Sequence, residues 1–144
     1  MKTVTRALVV RSVDYKDSDK ILTLLTPDMG KLSAGARGCR KKGSAIAAAC
    51  QLLCWSELVL SDRGGKWSVS EASTLREFLG VRRDLDKLAL ACYFAEMAEV
   101  LSVEGMPSPG LLSLTLNSLH ALECLDRPPE QIKAVFELKA MCLA

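Results

Sequence analysis

Cations set along one strand and its exit loop are the residues of this chain whose type and spacing best suit a chemical task. The stretch Thr26–Ser44, TPDMGKLSAGARGCRKKGS, opens with a turn at Pro27, Asp28 and Gly30, crosses a strand of small residues and leaves through Arg40-Lys41-Lys42, closed by Gly43. Strand side chains alternate, so Lys31, Ser33, Gly35 and Arg37 share one face and Leu32, Ala34 and Ala36 the other. One face packs; the other offers near-bare backbone flanked by charge, which a polyanion can approach closely. A second turn adds Arg63 and Lys66, with Trp67 as a stacking surface. Such cations can follow successive phosphates, and the scarcity of aromatics implies that backbone electrostatics dominate over base selection. The competing reading is a solvated loop whose charges keep a sheet edge from pairing with another. On composition alone that reading is the stronger.

Other chemistries fare worse. Gly38-Cys39-Arg40-Lys41-Lys42-Gly43-Ser44 resembles the first part of a phosphate loop, but Ser44 stands where the lysine that reaches the terminal phosphates is due. The single histidine, His120, falls on a helix between Leu119 and Ala121, where packing or exposure is the ordinary role. Glu96 and Glu99 share a helix face, as a polar stripe or a helix-to-barrel contact. No enzyme is read here. The six cysteines (39, 50, 54, 92, 124, 142) include no CxxC pair, so neither zinc nor any other cofactor is expected.

The elements that must position the cations follow from periodicity. At 144 residues, 49% hydrophobic, the chain can bury a real core. Five strands are expected: Val4–Tyr15, Lys20–Thr26, Gly30–Gly38, Cys50–Ser61 and Lys66–Ser70, with an Ala-rich link near residues 43–49 and a turn at Asp62-Arg63-Gly64-Gly65. That spacing predicts an OB-type barrel. The period then changes to 3.6. Asp84 suits the N-cap of a helix running to about Glu104; Ser108-Pro109 opens a second to about Leu125, and Pro128-Pro129 a third. The reading is therefore α+β, an OB-fold domain at 1–80 followed by a partial helical domain at 81–144. Residues 1–80 carry 13 Lys/Arg against 8 Asp/Glu (+5) and the remainder 6 against 9 (−3), which suggests two surfaces with different partners. The longest unbroken apolar run, Leu88–Ala95, is far short of a membrane span, and Ala7–Val10 is too short for a secretory signal. A reduced, cytoplasmic protein without membrane contact is expected.

The ordered set of these features resembles the RecO family of bacterial recombination mediators. The run RALVVRSVDYKDSDKILTLLTPDMGKLSAGARGCRKKGS is similar to the family's N-terminal signature, with Tyr15, Asp17 and Ser18, then Thr26-Pro27, Gly30 and a basic loop ending in Ser44. CQLLCWSELVLSDRGGKWSVSEA is similar to its fourth and fifth strands, and LACYFAEMAEVL to its first long helix, including Tyr93 and Glu96. The resemblance implies binding of single- and double-stranded DNA, annealing of complementary strands, and help in loading recombinase onto DNA coated by single-strand-binding protein. It implies RecR and the acidic C-terminal tail of single-strand-binding protein as partners. By position it assigns DNA contact to Arg37, Arg40, Lys41 and Lys42, then Lys31, which the spacing had already selected. Members of the family usually continue with more helices and often a cysteine zinc site; that site is not carried over to this chain. The alternative expectation is a protein-interaction adaptor whose barrel binds a partner protein instead of nucleic acid.

Overall fold

The computed structural model describes residues 2–143. Five strands, β1 (Lys2–Tyr15), β2 (Asp19–Thr26), β3 (Gly30–Ala36), β4 (Trp55–Arg63) and β5 (Lys66–Arg76), close a barrel in the order β1-β2-β3-β5-β4. Only β3 and β5 run parallel. This is the expected OB-type architecture. β1 serves two neighbours: Lys2–Leu8 pair with β4 and Leu8–Tyr15 with β2, and a register shift at Val10 lets the strand bend from one to the other. Alternation in β3 is as the sequence demands, with Leu32, Ala34 and Ala36 buried.

Strand ends shift by a residue or two in β1 and β2, and β3 stops at Ala36 instead of Gly38, so Arg37 lies in the turn beyond the strand and not on its face; β4 and β5 differ by more at one end each. The fourth strand starts at Trp55, not Cys50, because Leu53 sits in the left-handed region (φ 71°) with its N–H donating to the Val9 carbonyl, while the Val9 N–H donates to Cys54 O. A left-handed leucine costs about 1–2 kcal/mol, which complete burial of its side chain, worth roughly 1.5–3 kcal/mol, offsets. The run CQLLC is thus a plug and not a strand. The fifth strand runs six residues further than Ser70, to Arg76, since β4 supplies partners as far as Trp55 and shifts of register beside Ser70 and Leu75 absorb the weak alternation of SEASTLR. Between the two, Gly64 and Gly65 (φ 61° and 83°) make a hairpin turn matched to the strand twist.

Four helices follow: α1 (Leu79–Arg82), α2 (Leu85–Leu101), α3 (Pro109–Cys124) and α4 (Pro129–Leu143). The Asp84 carboxylate caps α2, accepting from the Asp86 and Lys87 N–H groups at 3.0 and 3.2 Å. α2 ends at Leu101, short of Glu104, because the chain turns extended at Ser102 and runs beside β3, where the Gly105 N–H donates to Lys31 O. The short α1, absent from the sequence reading, starts at a buried left-handed Phe78. α4 buries Ile132, Phe136 and Ala140, one face at i, i+4 and i+8.

Apolar packing divides in two. Val9, Leu22, Leu24, Leu58 and Leu60 fill the barrel. A second cluster runs from the barrel wall (Leu8, Val10, Leu25, Leu53) into the helices, centred on Phe94 and Phe136, whose rings stack at 4.3 Å. Tyr93, edge-on to Phe136, donates to the Glu137 carboxylate at 2.6 Å, and that bond pushes its hydroxyl pKa up.

Candidate nucleic-acid interface

β3 delivers its cations to two different environments. At its exit, residues 37–44 form a loop of successive turns held from several sides. Gly38 takes positive φ, which only glycine adopts freely, and its N–H donates to Asp19 Oδ1 at 2.8 Å. The Arg40 N–H donates to Ser18 O, while the Arg40 guanidinium lies 3.6 Å from the Asp14 carboxylate and donates to Lys16 O. The loop is therefore pinned to the β1–β2 hairpin. Lys41 and Lys42 are left exposed, and no ion pair joins them among the described residues. Arg37 is exposed beside them. The loop does not cradle a phosphate: Gly38, Arg40, Lys41 and Ser44 donate their N–H groups to the protein itself, and turns rather than a helix follow.

At the other end of β3 the geometry closes. Lys31 is half-buried, and its Nζ donates to Glu99 O at 2.9 Å, satisfying a carbonyl of α2's last turn where the helix dipole is negative. It thus ties the helix to the barrel with one of its three N–H donors. Arg63 and Lys66 flank the β4–β5 turn, exposed to solvent. Trp67, half-buried, packs on the barrel core opposite Ala34 of β3. The arrangement therefore joins Arg37, Arg40, Lys41 and Lys42, sets Arg63 and Lys66 on a separate turn, and places Lys31 against α2 and Trp67 against the barrel core.

Sequence reasoning passed over Tyr15 and Lys16 at the tip of the same hairpin. Tyr15 is 46% exposed, with the Lys16 ammonium 5.2 Å from its ring centroid. A positive φ at Lys16 brings them together, and no composition rule announces that.

Barrel and helices meet at a second polar joint. Arg76 at the end of β5 donates to Glu123 Oε1 (2.9 Å) and to His120 Nδ1 (3.0 Å) on α3, and the Gly80 N–H donates to Glu123 Oε2 (3.0 Å). Burial alone would raise the Glu123 pKa; the Gly80 N–H and the Arg76 guanidinium outweigh it and leave it lowered. Glu99, expected as a stripe or a barrel contact, is a contact: it sits 3.7 Å from Arg11 of β1. Cys39, Cys50 and Cys54 are buried thiols, Cys50 pushed up to about 12 by burial and by Cys39 beside it. Among the described residues, no three His, Cys, Asp or Glu converge as metal ligands. Nor is any described helix long and apolar enough to cross a membrane. An open apolar groove of about 670 Å³ runs between α3 and α4 past Leu114, Val135 and Leu138, with Arg127 and Lys139 in its lining.

A barrel of this strand order with a pinned basic loop, followed by helices, defines the class: an OB-type domain joined to a helical one. Comparison with known proteins narrows it. Residues 1–78 match the family model described as Recombination protein O N terminal, and residues 82–144 that described as Recombination protein O C terminal. The chain belongs to the RecO family. It is 35% identical over 137 residues to the DNA repair protein RecO of Acetivibrio thermocellus, covering 95% of this chain and 55% of the relative. To those of Dehalococcoides mccartyi and Desulfitobacterium hafniense it is 33% and 35% identical, covering 95% and 94% of this chain and 54% and 49% of the relatives. The chain thus spans about half the length of the curated relatives it matches.

Proposed function

We propose that this chain acts in DNA repair and recombination as a non-enzymatic mediator in the cytoplasm, binding single- and double-stranded DNA with little sequence preference. In this reading it anneals complementary strands and assists recombinase loading onto DNA coated by single-strand-binding protein, with RecR as a partner. The observation that carries the reading is the loop: Lys41 and Lys42 are exposed, without an ion pair among the described residues, and mounted on a backbone fixed by Asp19 and Ser18. Little order is therefore lost when phosphates arrive. Family membership supports the repair role. The apolar α3–α4 groove with Arg127 and Lys139 supports docking of an acidic, apolar peptide such as the single-strand-binding protein tail. That groove, with the acidic balance of residues 81–144, also favours the second reading, an adaptor that binds protein alone.

The test is a salt titration with a mixed-sequence single strand. Wild-type log K should fall linearly with log salt, and Lys41→Ala/Lys42→Ala should flatten that slope by roughly 1.4 units, about 0.7 for each phosphate no longer neutralised. A double variant indistinguishable from wild type would remove the loop from the interface. No binding by wild type at low salt would hand the assignment to the adaptor reading.

A further inference from the structure

We propose that the groove between α3 and α4 is filled by α4 of a second copy of this chain, so that two copies join about a two-fold axis as a four-helix bundle. The inference stands apart from the DNA-binding reading. Four positions on each helix border the groove at the same spacing: Gly110, Leu114, Asn117 and Ala121 on α3, and Gln131, Val135, Leu138 and Cys142 on α4. Intervals of four, three and four residues keep a stripe in line along a helix that packs on another at a shallow angle. α4 reaches the core through a different side, Ile132, Phe136 and Ala140, and its second stripe is left to solvent. Val135 is 45% exposed, Leu138 66% and Met141, beside them, 76%. Apolar side chains gathered in this way along an open groove mark a contact surface. At the end away from the connecting turn, a Cβ on Gly110 would stand 3.1 Å from the Leu143 side chain, so the two helices also meet there and the hairpin frames the groove at both ends.

The pattern of α4 identifies the occupant. A groove between two helices takes an apolar ridge on a third, and α4 carries such a ridge beside its own groove. A surface that holds both is complementary to itself, and a two-fold axis satisfies both copies at once. With the two α4 helices antiparallel, the spacing sets Val135 against Leu138 of the second copy and Gln131 against Cys142. The same register brings Ala134 over Met141, the most exposed apolar side chain of the helix. The charges agree with it. Glu130, Lys133 and Glu137 fall outside the stripe, and Lys133 and Glu137 already pair with each other at 3.7 Å. Lys139, at the edge of the stripe, comes opposite Ile132, so no like charges meet across the seam. An acidic, apolar peptide drawn to Arg127 and Lys139 would occupy the same space and displace the second copy.

Sedimentation over a range of concentrations tests the pairing. Wild type should pass from one chain mass to two and stop there, since a two-fold contact closes on itself. Val135→Glu and Leu138→Glu each put a carboxylate into the seam and should weaken the dimer by roughly tenfold or more. Val100→Glu, at a comparably exposed position on α2, should leave it unchanged. A thermal melt like that of wild type, taken where wild type is monomeric, verifies the folding of all three. The register has its own readout: Gln131→Cys should form a disulfide with Cys142 of the second copy under diamide, and adding Cys142→Ser should abolish it. Growth beyond two chain masses, or equal losses from Val100→Glu and Leu138→Glu, would overturn the pairing, and a dimer that never forms the disulfide would overturn the antiparallel seam. A wild type that stays monomeric at every concentration also overturns the pairing; if that monomer binds a synthetic peptide of aspartate and leucine, and Leu138→Glu does not, the groove belongs to an acidic partner.

Discussion

The two ends of β3 carry the same kind of residue and do opposite work. At the entrance, Gly30 takes positive φ against the Met106 backbone, Thr26 Oγ1 donates to Gly30 O, and Lys31 serves a helix carbonyl. Backbone meets backbone there, and charge is consumed in holding α2 to the barrel. At the exit, Gly35 faces open space, and the cations beyond it stand in solvent on a pinned loop. The difference teaches that a cation's neighbours, not its type or its place in an alternating pattern, decide whether it is available to a ligand.

The contrast can be broken most sharply at the glycines. Gly30→Ala forces a Cβ into the Met106 carbonyl at a left-handed residue and should destabilise the fold by about 3 kcal/mol or more. Gly35→Ala, with no neighbour to meet, should fall within about 0.5 kcal/mol of wild type. Urea unfolding of both decides it, and equal effects would erase the distinction between the ends. Next in size is Lys31→Ala. Removing its bond to Glu99 O should cost about 1 kcal/mol in urea unfolding while single-strand affinity stays close to wild type, the reverse of the Lys41/Lys42 pattern. A large drop in affinity with unchanged stability would return Lys31 to the interface.

The smallest effect tests the other joint, at Glu123. Its folded pKa is lowered, so its ionised form stabilises the fold above the ordinary glutamate range, and that contribution is lost as pH falls through the folded value. Glu123→Gln should therefore lower Tm by a few degrees near pH 7 and converge on wild type as the pH falls through the folded value. A gap that stays constant with pH would mean that the carboxylate charge plays no part.

How much of this was legible depended on whether the determinant was local. β2 and β3 could be read because period-two alternation and flanking turns are written in consecutive residues. α2 could be read from its cap at Asp84. Leu53 could not: an apolar run such as CQLLC fits a buried strand or a plug equally well, and its left-handed residue is fixed by hydrogen bonds to Val9, far off in the chain. β5 past Ser70 has little pattern of its own and is a strand because β4 is beside it. At the candidate site the cation loop was visible as composition. The fate of Lys31 was not, since its partner lies 68 residues away. Trp67 was placed correctly on one face with Val69, but which face was the core waited on closure of the barrel.

Leu8, Val10 and Leu25 lie in the cluster of Phe94 and Phe136, and this sets an order of assembly. β1 precedes α2 in the chain, so its helix-facing side chains stay without their packing until α2 exists, some seventy residues later. Its pairing with β4 and the parallel match of β3 to β5 are likewise distant. Such long-range contacts make folding slow and leave strand edges exposed in the meantime. A strand laid down early in this chain is thus completed only by elements far along it.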